Sequence, residues 1–224
     1  PGAAPVAPDE ELRRVLPVLE ALVAQGVRSQ LSIDTSKAVV AAAALAAGAT
    51  LVNDVTALRA DPGMARVVAE AGAEICLMHM LGEPRTMQDD PRYEDVVGEV
   101  KRFLAERAGW AIEFGIPAER ILLDPGIGFG KTAAHNLKLL NRLDELAELG
   151  FPMLIGTSRK SFLGSLTGRD DPQQRLAGTI ASCVLAYERG ANVFRVHEVA
   201  PVKDALAVAA ATVSPRWRTP STTR

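Results

Sequence analysis

The sequence is short of the residues that build metal and disulfide frameworks, and it has no marked excess of either charge. It contains 2 cysteines and 3 histidines in 224 residues, with no CxxC or HxxxH spacing. This argues against a protein-only transition-metal site and against a disulfide scaffold. Lys+Arg 25 against Asp+Glu 27 gives a net charge of −2, without the basic excess typical of nucleic-acid-binding proteins. Two cysteines fit a reducing compartment, so we expect a cytoplasmic location.

Long hydrophobic runs are also missing. The longest uncharged stretch of the alanine-rich segment covers residues 38–52 and is interrupted by Gly48 and Thr50. A membrane-spanning helix needs about 20 apolar residues, so we expect no membrane partner. What the chain does have is 48% hydrophobic and 23% charged residues, which is enough to fill the core of a single folded domain.

Six short apolar runs alternate with longer helical patterns. A helix is predicted from about Asp9, and each predicted strand is followed by a helix. The predicted strands cover residues 30–33, 51–53, 75–78, 121–123, 152–155 and 193–196. The helices that follow them cover residues 37–47, 63–71, 94–114, 136–149, 175–188 and 202–213. Strands of unbroken Ile, Leu and Val separated by helices indicate a parallel sheet covered on both faces.

Two parallel architectures remain open: a doubly wound sheet and a (β/α)₈ TIM barrel. Polar residues stand at the end of every predicted strand or shortly after it, namely Asp34, Asn53, His79, Asp124, Ser158 to Lys160, and Arg195 with His197. Because such residues meet at one mouth only if the strands form a ring, we favour the barrel, of which about six βα units are present. We predict one α/β domain over residues 1–213 and a disordered polar tail over residues 214–224.

The segment from Asp124 to Thr132 nearly matches two phosphate-binding patterns and fails both. A GxxxxGK[ST] loop needs glycine where Pro125 stands, and a GxGxxG fingerprint needs glycine where Lys131 stands. What remains is a carboxylate at a strand end, followed by three glycines around Phe129. Such a loop lets a flat ligand approach the backbone with an aromatic ring beside it.

The other strand ends carry groups suited to anions and to a polar ring. Lys160 precedes a short predicted helix, whose N-terminus favours an anion or a ring carbonyl. Arg195 and His197 are two residues apart at the end of the predicted last strand, so both side chains would face one phosphate or diphosphate.

The carboxylates and amide of Asp34, Asn53 and Asp124 can bind the edge of a guanidine-like heterocycle. We therefore predict a mouth that is acidic at one end and basic at the other. A substrate with a polar ring at one end and a phosphate ester at the other would match that polarity.

Taken in order, these motifs resemble those of the dihydropteroate synthases, folate-pathway enzymes with a (β/α)₈ fold. The matching segments are SIDTS at 32–36, LVND at 51–54, CLMHM at 76–80, DPGIGFGK at 124–131, GTSRKS at 156–161 and RVH at 195–197. The resemblance covers roughly residues 1–213. It implies a transferase that condenses (7,8-dihydropterin-6-yl)methyl diphosphate with 4-aminobenzoate, giving 7,8-dihydropteroate and diphosphate. It also implies a sulfonamide target and a homodimer that uses helices late in the barrel.

The resemblance implies a role for each matching position. The pterin would be bound by Asp34, Asn53, Met78, Asp124 and Lys160. The 4-aminobenzoate would be bound by Phe129, Lys160 and Ser161, and the diphosphate by Arg195 and His197. The groups implied in catalysis are Lys160, Arg195, His197 and Asp34. Mg²⁺ usually shares the stabilisation of the leaving group in this family, but its Asn ligand follows a first strand that this sequence lacks, so we expect no metal ligand in this chain.

The chain departs from the family at its start, where the first strand, its loop and the second strand have no counterpart. We therefore expect a partial sequence of a longer gene product that is inactive alone. Two alternatives remain: a methyltetrahydrofolate-binding methyltransferase, which has no use for Arg195 and His197 as a diphosphate site, and a non-catalytic pterin-binding homologue.

Overall fold

The computed structural model describes residues 4–83 and 85–213, so the predicted disordered tail over residues 214–224 lies outside the described residues. The helices are α1 (Pro8–Ala24), α2 (Ala38–Ala46), α3 (Met64–Ala71), α4 (Val96–Glu113), α5 (Ala133–Asn141), α6 (Leu143–Ala147), α7 (Ser161–Thr167), α8 (Leu176–Glu188) and α9 (Val199–Val213). The strands are β1 (Ser32–Asp34), β2 (Leu51–Asp54), β3 (Glu74–Met78), β4 (Ile121–Asp124), β5 (Met153–Ile155) and β6 (Ala191–Phe194). None of the helices in this part of the chain has the length and apolar character needed to cross a bilayer.

The strands form one parallel sheet in chain order, from β1 to β6. Successive residues along each strand point to opposite faces of the sheet, and the buried residues divide between the two faces accordingly. One face forms a small separate cluster of buried residues: Leu51, Cys76, Leu122 and Leu154. The other face joins the helices in the main core, which includes Ile33, Val52, Ile75, Leu77 and Leu123.

The helix α4 shows how sequence pattern and packing agree on the helical side. Asp95 caps its N-terminus, accepting a hydrogen bond from the backbone N–H of Gly98 at 3.2 Å, as an N-cap carboxylate does. Its buried residues recur at helical spacing: Val96, Val97, Val100, Leu104, Ala108 and Ala111. This apolar stripe holds the helix against the sheet.

The sheet is strongly curved, and one side chain demonstrates it. Arg195, directly after β6, donates to Asn53 Oδ1 on β2 at 3.0 Å and to Asp124 Oδ2 on β4 at 2.8 Å. In a flat sheet β2 and β6 are four strand spacings apart, or about 19 Å, which is far beyond the reach of an arginine side chain. The six described strands therefore curl around their small inner cluster as a half-barrel, and the flat doubly wound alternative is wrong.

Two predicted elements differ from the structure. The last strand is Ala191–Phe194 rather than residues 193–196, so Arg195 and His197 follow the strand instead of lying on it. The register shifts between β5 and β6, and the Asn192 side-chain oxygen accepts from the backbone N–H of Met153 at 3.0 Å. The predicted helix over residues 136–149 is divided at Arg142, which adopts φ −113° and ψ 32°.

A glycine-rich loop over residues 125–132 connects β4 to α5 and packs against the exit of β3. Gly126 has φ +67°, and a Cβ built there would lie 1.9 Å from the carbonyl oxygen of His79. Gly130 has φ +62°, and its Cβ would lie 2.6 Å from the carbonyl oxygen of Leu81. Backbone meets backbone at both points, so only glycine fits.

We predict that Gly126→Ala lowers the free energy of unfolding by about 2–5 kcal/mol, because it combines a left-handed backbone with overpacking. Gly150→Ala is the matched control, since Gly150 has φ +81° but no heavy atom within 4 Å of its built Cβ. That control should lose only about 1 kcal/mol. Urea denaturation measures both, and equal losses would show that the close approach to His79 is not a constraint.

Candidate active site

Four of the five predicted pterin-binding residues lie at the carboxyl ends of the first four strands, and the fifth, Lys160, follows β5. Asp34 pairs in register with Asn53, and Met78 pairs with Asp124. Asn53, Met78 and Asp124 are at most 4% exposed, whereas Asp34 is exposed at the mouth. Because parallel strands all end at the same edge, their terminal polar groups meet there.

A hydrogen-bonded network joins these groups to Arg195. The Asn53 amide donates from Nδ2 to Asp34 Oδ2 at 3.2 Å and accepts through Oδ1 from Arg195, which fixes the orientation of the amide. Asp124 accepts from the Gly126 backbone N–H through Oδ1 at 2.7 Å and from Arg195 through Oδ2. The network joins the ends of four strands, β1, β2, β4 and β6, to the glycine-rich loop.

Burial and the charges in this network shift the pKa values of its members. Desolvation raises the pKa of Asp34, while Arg195 and the hydrogen bond from Asn53 oppose that rise. Burial lowers the pKa of Arg195, but Asp124 and the other nearby acidic groups together outweigh it, so the net pKa is raised. The Asp124 side chain is 1% exposed and that of Arg195 is 40% exposed.

The mouth is therefore not divided into an acidic end and a basic end, as the sequence predicted. Arg195 lies among the acidic groups and forms an ion pair with Asp124. The strand pattern could not show this, because the two residues are 71 positions apart and only the curvature of the sheet brings them together.

Lys160 and Phe129 form the second part of the mouth. Lys160 is the N-cap residue of α7, and its Nζ lies 4.1 Å from the centroid of the Phe129 ring, within cation–π range. A Cβ at Gly128 would approach Lys160 Cδ to 3.0 Å, so the glycine leaves room for the lysine stem. Burial lowers the pKa of Lys160, with Asp124 opposing that effect.

His197 is hydrogen-bonded to Ser158, a residue to which the sequence analysis assigned no substrate. Ser158 Oγ lies 2.8 Å from His197 Nδ1 and accepts from the His197 backbone N–H at 3.2 Å. Ser158 is 7% exposed, whereas His197 is exposed. Ser161, the first residue of α7, is also exposed. The sequence feature that could have identified Ser158 as a site residue is its position shortly after the fifth strand, two residues before Lys160.

Next to Ser158, Arg159 adopts φ +59°, and its Nε donates to Glu198 at 2.9 Å. This ion pair ties the turn after β5 to the segment after β6.

The described residues do not fit a magnesium ion. In residues 4–83 and 85–213, no group of three or more His, Cys, Asp or Glu side chains could hold a metal. Asp124 already accepts through both oxygens, from Gly126 and from Arg195. The most buried carboxylate of the mouth is thus committed to the protein itself.

Comparison with known proteins agrees with this geometry. The family model described as "Pterin binding enzyme" matches residues 1–197. The dihydropteroate synthase of Escherichia coli K12 is 45% identical over 214 residues, which are 96% of this chain and 75% of that protein.

Solved structures of the same enzyme superpose closely. Dihydropteroate synthase from Xanthomonas albilineans in complex with 7,8-dihydropteroate is 50% identical with a TM-score of 0.87, covering 96% of this chain and 78% of that one. The Yersinia pestis enzyme in a sulfonamide drug complex is 45% identical with a TM-score of 0.91, covering 95% and 76%. The chain belongs to the pterin-binding enzyme family and, within it, to the dihydropteroate synthases.

Proposed function

We propose that the mouth of the half-barrel is the site at which 4-aminobenzoate displaces diphosphate from (7,8-dihydropterin-6-yl)methyl diphosphate. Family membership makes the chain a transferase of folate biosynthesis. The observation that carries the assignment of residues is the network of Asp34, Asn53, Asp124 and Arg195, in which two carboxylates, an amide and a guanidinium converge. Neither a methyltransferase nor a non-catalytic homologue is favoured by the relatives.

The pterin is assigned to the acidic and amide groups of the network. A pterin edge presents ring N–H, amino and carbonyl groups, and these match the acceptors of Asp34 and Asp124 and the mixed donor and acceptor of Asn53. Met78 is fully buried in a cluster with Met80 and Met87, against which Phe129 packs. This apolar wall suits the flat face of the ring, and we assign Lys160 to its carbonyl side.

The 4-aminobenzoate is assigned to Phe129, Lys160 and Ser161. The Phe129 ring offers an aromatic face, and Ser161 stands at the N-terminus of α7, where a carboxylate is favoured. The amine nitrogen attacks the pterin methylene carbon, forming the C–N bond as the C–O bond to diphosphate breaks, and the nitrogen then loses a proton to solvent. An aniline nitrogen is already neutral at pH 7, so the step needs little help from a base.

The reaction depends most on stabilising the leaving diphosphate. Arg195 has five N–H donors, two of which bind Asn53 and Asp124, so the guanidinium can bind an anion while staying in its network. His197 is exposed beside it, with its ring fixed by Ser158. Together they would stabilise the charge that develops on the diphosphate.

We propose that the half-barrel is part of a (β/α)₈ barrel, as the family resemblance implies. We also propose that residues 1–213 form one domain and that the location is cytoplasmic, because two cysteines fit a reducing compartment. Magnesium enters the proposal through the same resemblance, and no step above depends on it because the described residues do not fit the ion.

We expect Arg195→Ala and Lys160→Ala each to weaken binding of a pterin diphosphate analogue at least tenfold, because each removes charge-assisted interactions worth about 1.5–3 kcal/mol. Arg66→Ala is the control, since Arg66 is exposed on α3, away from the mouth. Titration calorimetry measures the three affinities. Unchanged affinity in both mouth variants would refute the site assignment.

We also propose a homodimer formed through α5, α7 and α8. Leu137, Leu166 and Leu185 on these helices are 41%, 56% and 48% exposed, an apolar surface of the kind that interfaces cover. Leu166→Asp should convert the dimer to a monomer in light scattering, whereas Val39→Asp, on α2 and 53% exposed, should not. A monomeric parent chain, or a dimeric Leu166→Asp variant, would contradict this.

A further inference from the structure

A buried lysine ends the glycine-rich loop, outside the residues assigned to either substrate. Lys131 is 3% exposed, and His79, at the exit of β3, is 6% exposed. Lys131 Nζ lies 2.9 Å from His79 Nδ1 and donates to the Phe129 carbonyl oxygen at 3.0 Å. Burying an ammonium group is unfavourable unless specific partners compensate, so this arrangement points to a role beyond filling space.

Lys131 forms a hydrogen bond with the backbone of Phe129. The Phe129 N–H donates to the Gly126 carbonyl at 3.0 Å, while the Phe129 carbonyl accepts from Lys131. Both ends of the residue that carries the ring are therefore fixed. The ring in turn contacts the Lys160 ammonium at 4.1 Å, so the position of Lys131 is transmitted to the mouth through Phe129.

His79 is suited to orient Lys131 because its ring is neutral and immobilised. It packs edge-on against Phe103 with the ring centroids 4.9 Å apart. Burial, together with the charges of Lys131 and Arg59, lowers the pKa of His79 to about 3. A neutral imidazole that accepts from Lys131 through Nδ1 carries its proton on Nε2, so the contact is a hydrogen bond rather than a repulsion between cations.

We propose that Lys131 is a positioning residue for the 4-aminobenzoate side of the site, acting through the Phe129 carbonyl, and that His79 orients it. The inference rests on the proposed function, because that function places Phe129 and Lys160 against the arylamine. Lys131 itself touches no substrate in this scheme.

The pH dependence of 4-aminobenzoate binding distinguishes a positioning role for Lys131 from a purely structural one. Burial lowers the pKa of Lys131 to about 7, with Asp124 opposing and Lys160 adding to that effect. Lys131 is thus charged below about pH 7 and loses its charge above it, which weakens the bond to Phe129. The charged and titratable groups around the Lys131–His79 pair are Asp124, Lys160, Arg59, Tyr93 and His135.

The test compares Lys131→Met with Lys138→Met, the same substitution at an exposed position on α5. Calorimetry on the full chain between pH 6 and 8.5 measures two affinities. The first is the Kd of a pterin diphosphate analogue, and the second is the Kd of 4-aminobenzoate in the presence of a saturating concentration of that analogue. We expect Lys131→Met to weaken 4-aminobenzoate about tenfold and the analogue less than twofold. The parent chain and Lys138→Met should lose 4-aminobenzoate affinity as the pH rises through 7, and Lys131→Met should not.

His79→Phe is the second variant, since it keeps a ring against Phe103 but removes Nδ1, and it should likewise weaken 4-aminobenzoate about tenfold and the analogue less than twofold. Unchanged 4-aminobenzoate affinity in both variants, or equal weakening of both ligands, would overturn the proposal. If neither variant folds, the parent chain decides, because a Kd for 4-aminobenzoate that is flat across this pH range also overturns it. A parent chain that does not bind the pterin analogue at all refutes the proposed function and this inference with it.

Discussion

The contact of Arg195 with Asp124 and Asn53 is the interaction on which the rest of the structure depends. It joins the end of β6 to β4 and β2, and it can form only because the parallel sheet is curved. The same contact neutralises Asp124, whose side chain is 1% exposed and would be strongly destabilising as an unpaired buried charge. The curvature of the sheet therefore determines both the fold and the proposed chemistry, because it brings the strand ends together and so assembles the proposed substrate site.

The glycine-rich loop is the second constraint. Gly126 and Gly130 let its backbone lie directly against the exit of β3, and this close approach places Phe129 beneath Lys160. Two side chains from the segment between β3 and α4 hold this loop: Gln88 donates to the Gly128 carbonyl at 2.7 Å and Tyr93 to the Gly130 carbonyl at 2.8 Å. The glycine-rich loop therefore adopts one defined conformation, because side chains about 40 residues away in sequence donate hydrogen bonds to its carbonyl groups.

Much of the fold and the identity of the candidate site follow from the sequence, because apolar runs mark buried parallel strands and polar residues mark their ends. Asp34, Asn53 and Asp124 could be grouped on that basis alone. The bulge at Asn192 could not be seen, since a polar residue with low strand propensity replaces a ladder hydrogen bond with its side chain. The break at Arg142 carries no Pro or Gly signal, and the ion pairs that Arg142 forms there with Glu145 and Asp95 are visible only in the folded chain.

The contacts between side chains were the least predictable part of the site. Lys131 and His79 are 52 residues apart, and Lys131 received no role from the sequence, either as the residue that breaks a dinucleotide fingerprint or as the end of the DPGIGFGK segment. The predicted separation of charge across the mouth was wrong for the same reason, because sequence order shows which groups reach the mouth but not which of them pair. Pairing is set by strand register and curvature, which only the folded structure defines.

A double-mutant cycle between Arg195 and Asp124 tests the central claim most directly. The free energies of unfolding of the parent chain, Arg195→Met, Asp124→Asn and the double variant would be measured in urea. If the guanidinium and the carboxylate pair across the curved sheet, the double variant should lose less than the sum of the single losses, with a coupling of about 1–3 kcal/mol. Additive losses would mean that the two strand ends do not meet, and would contradict both the curvature and the site built on it.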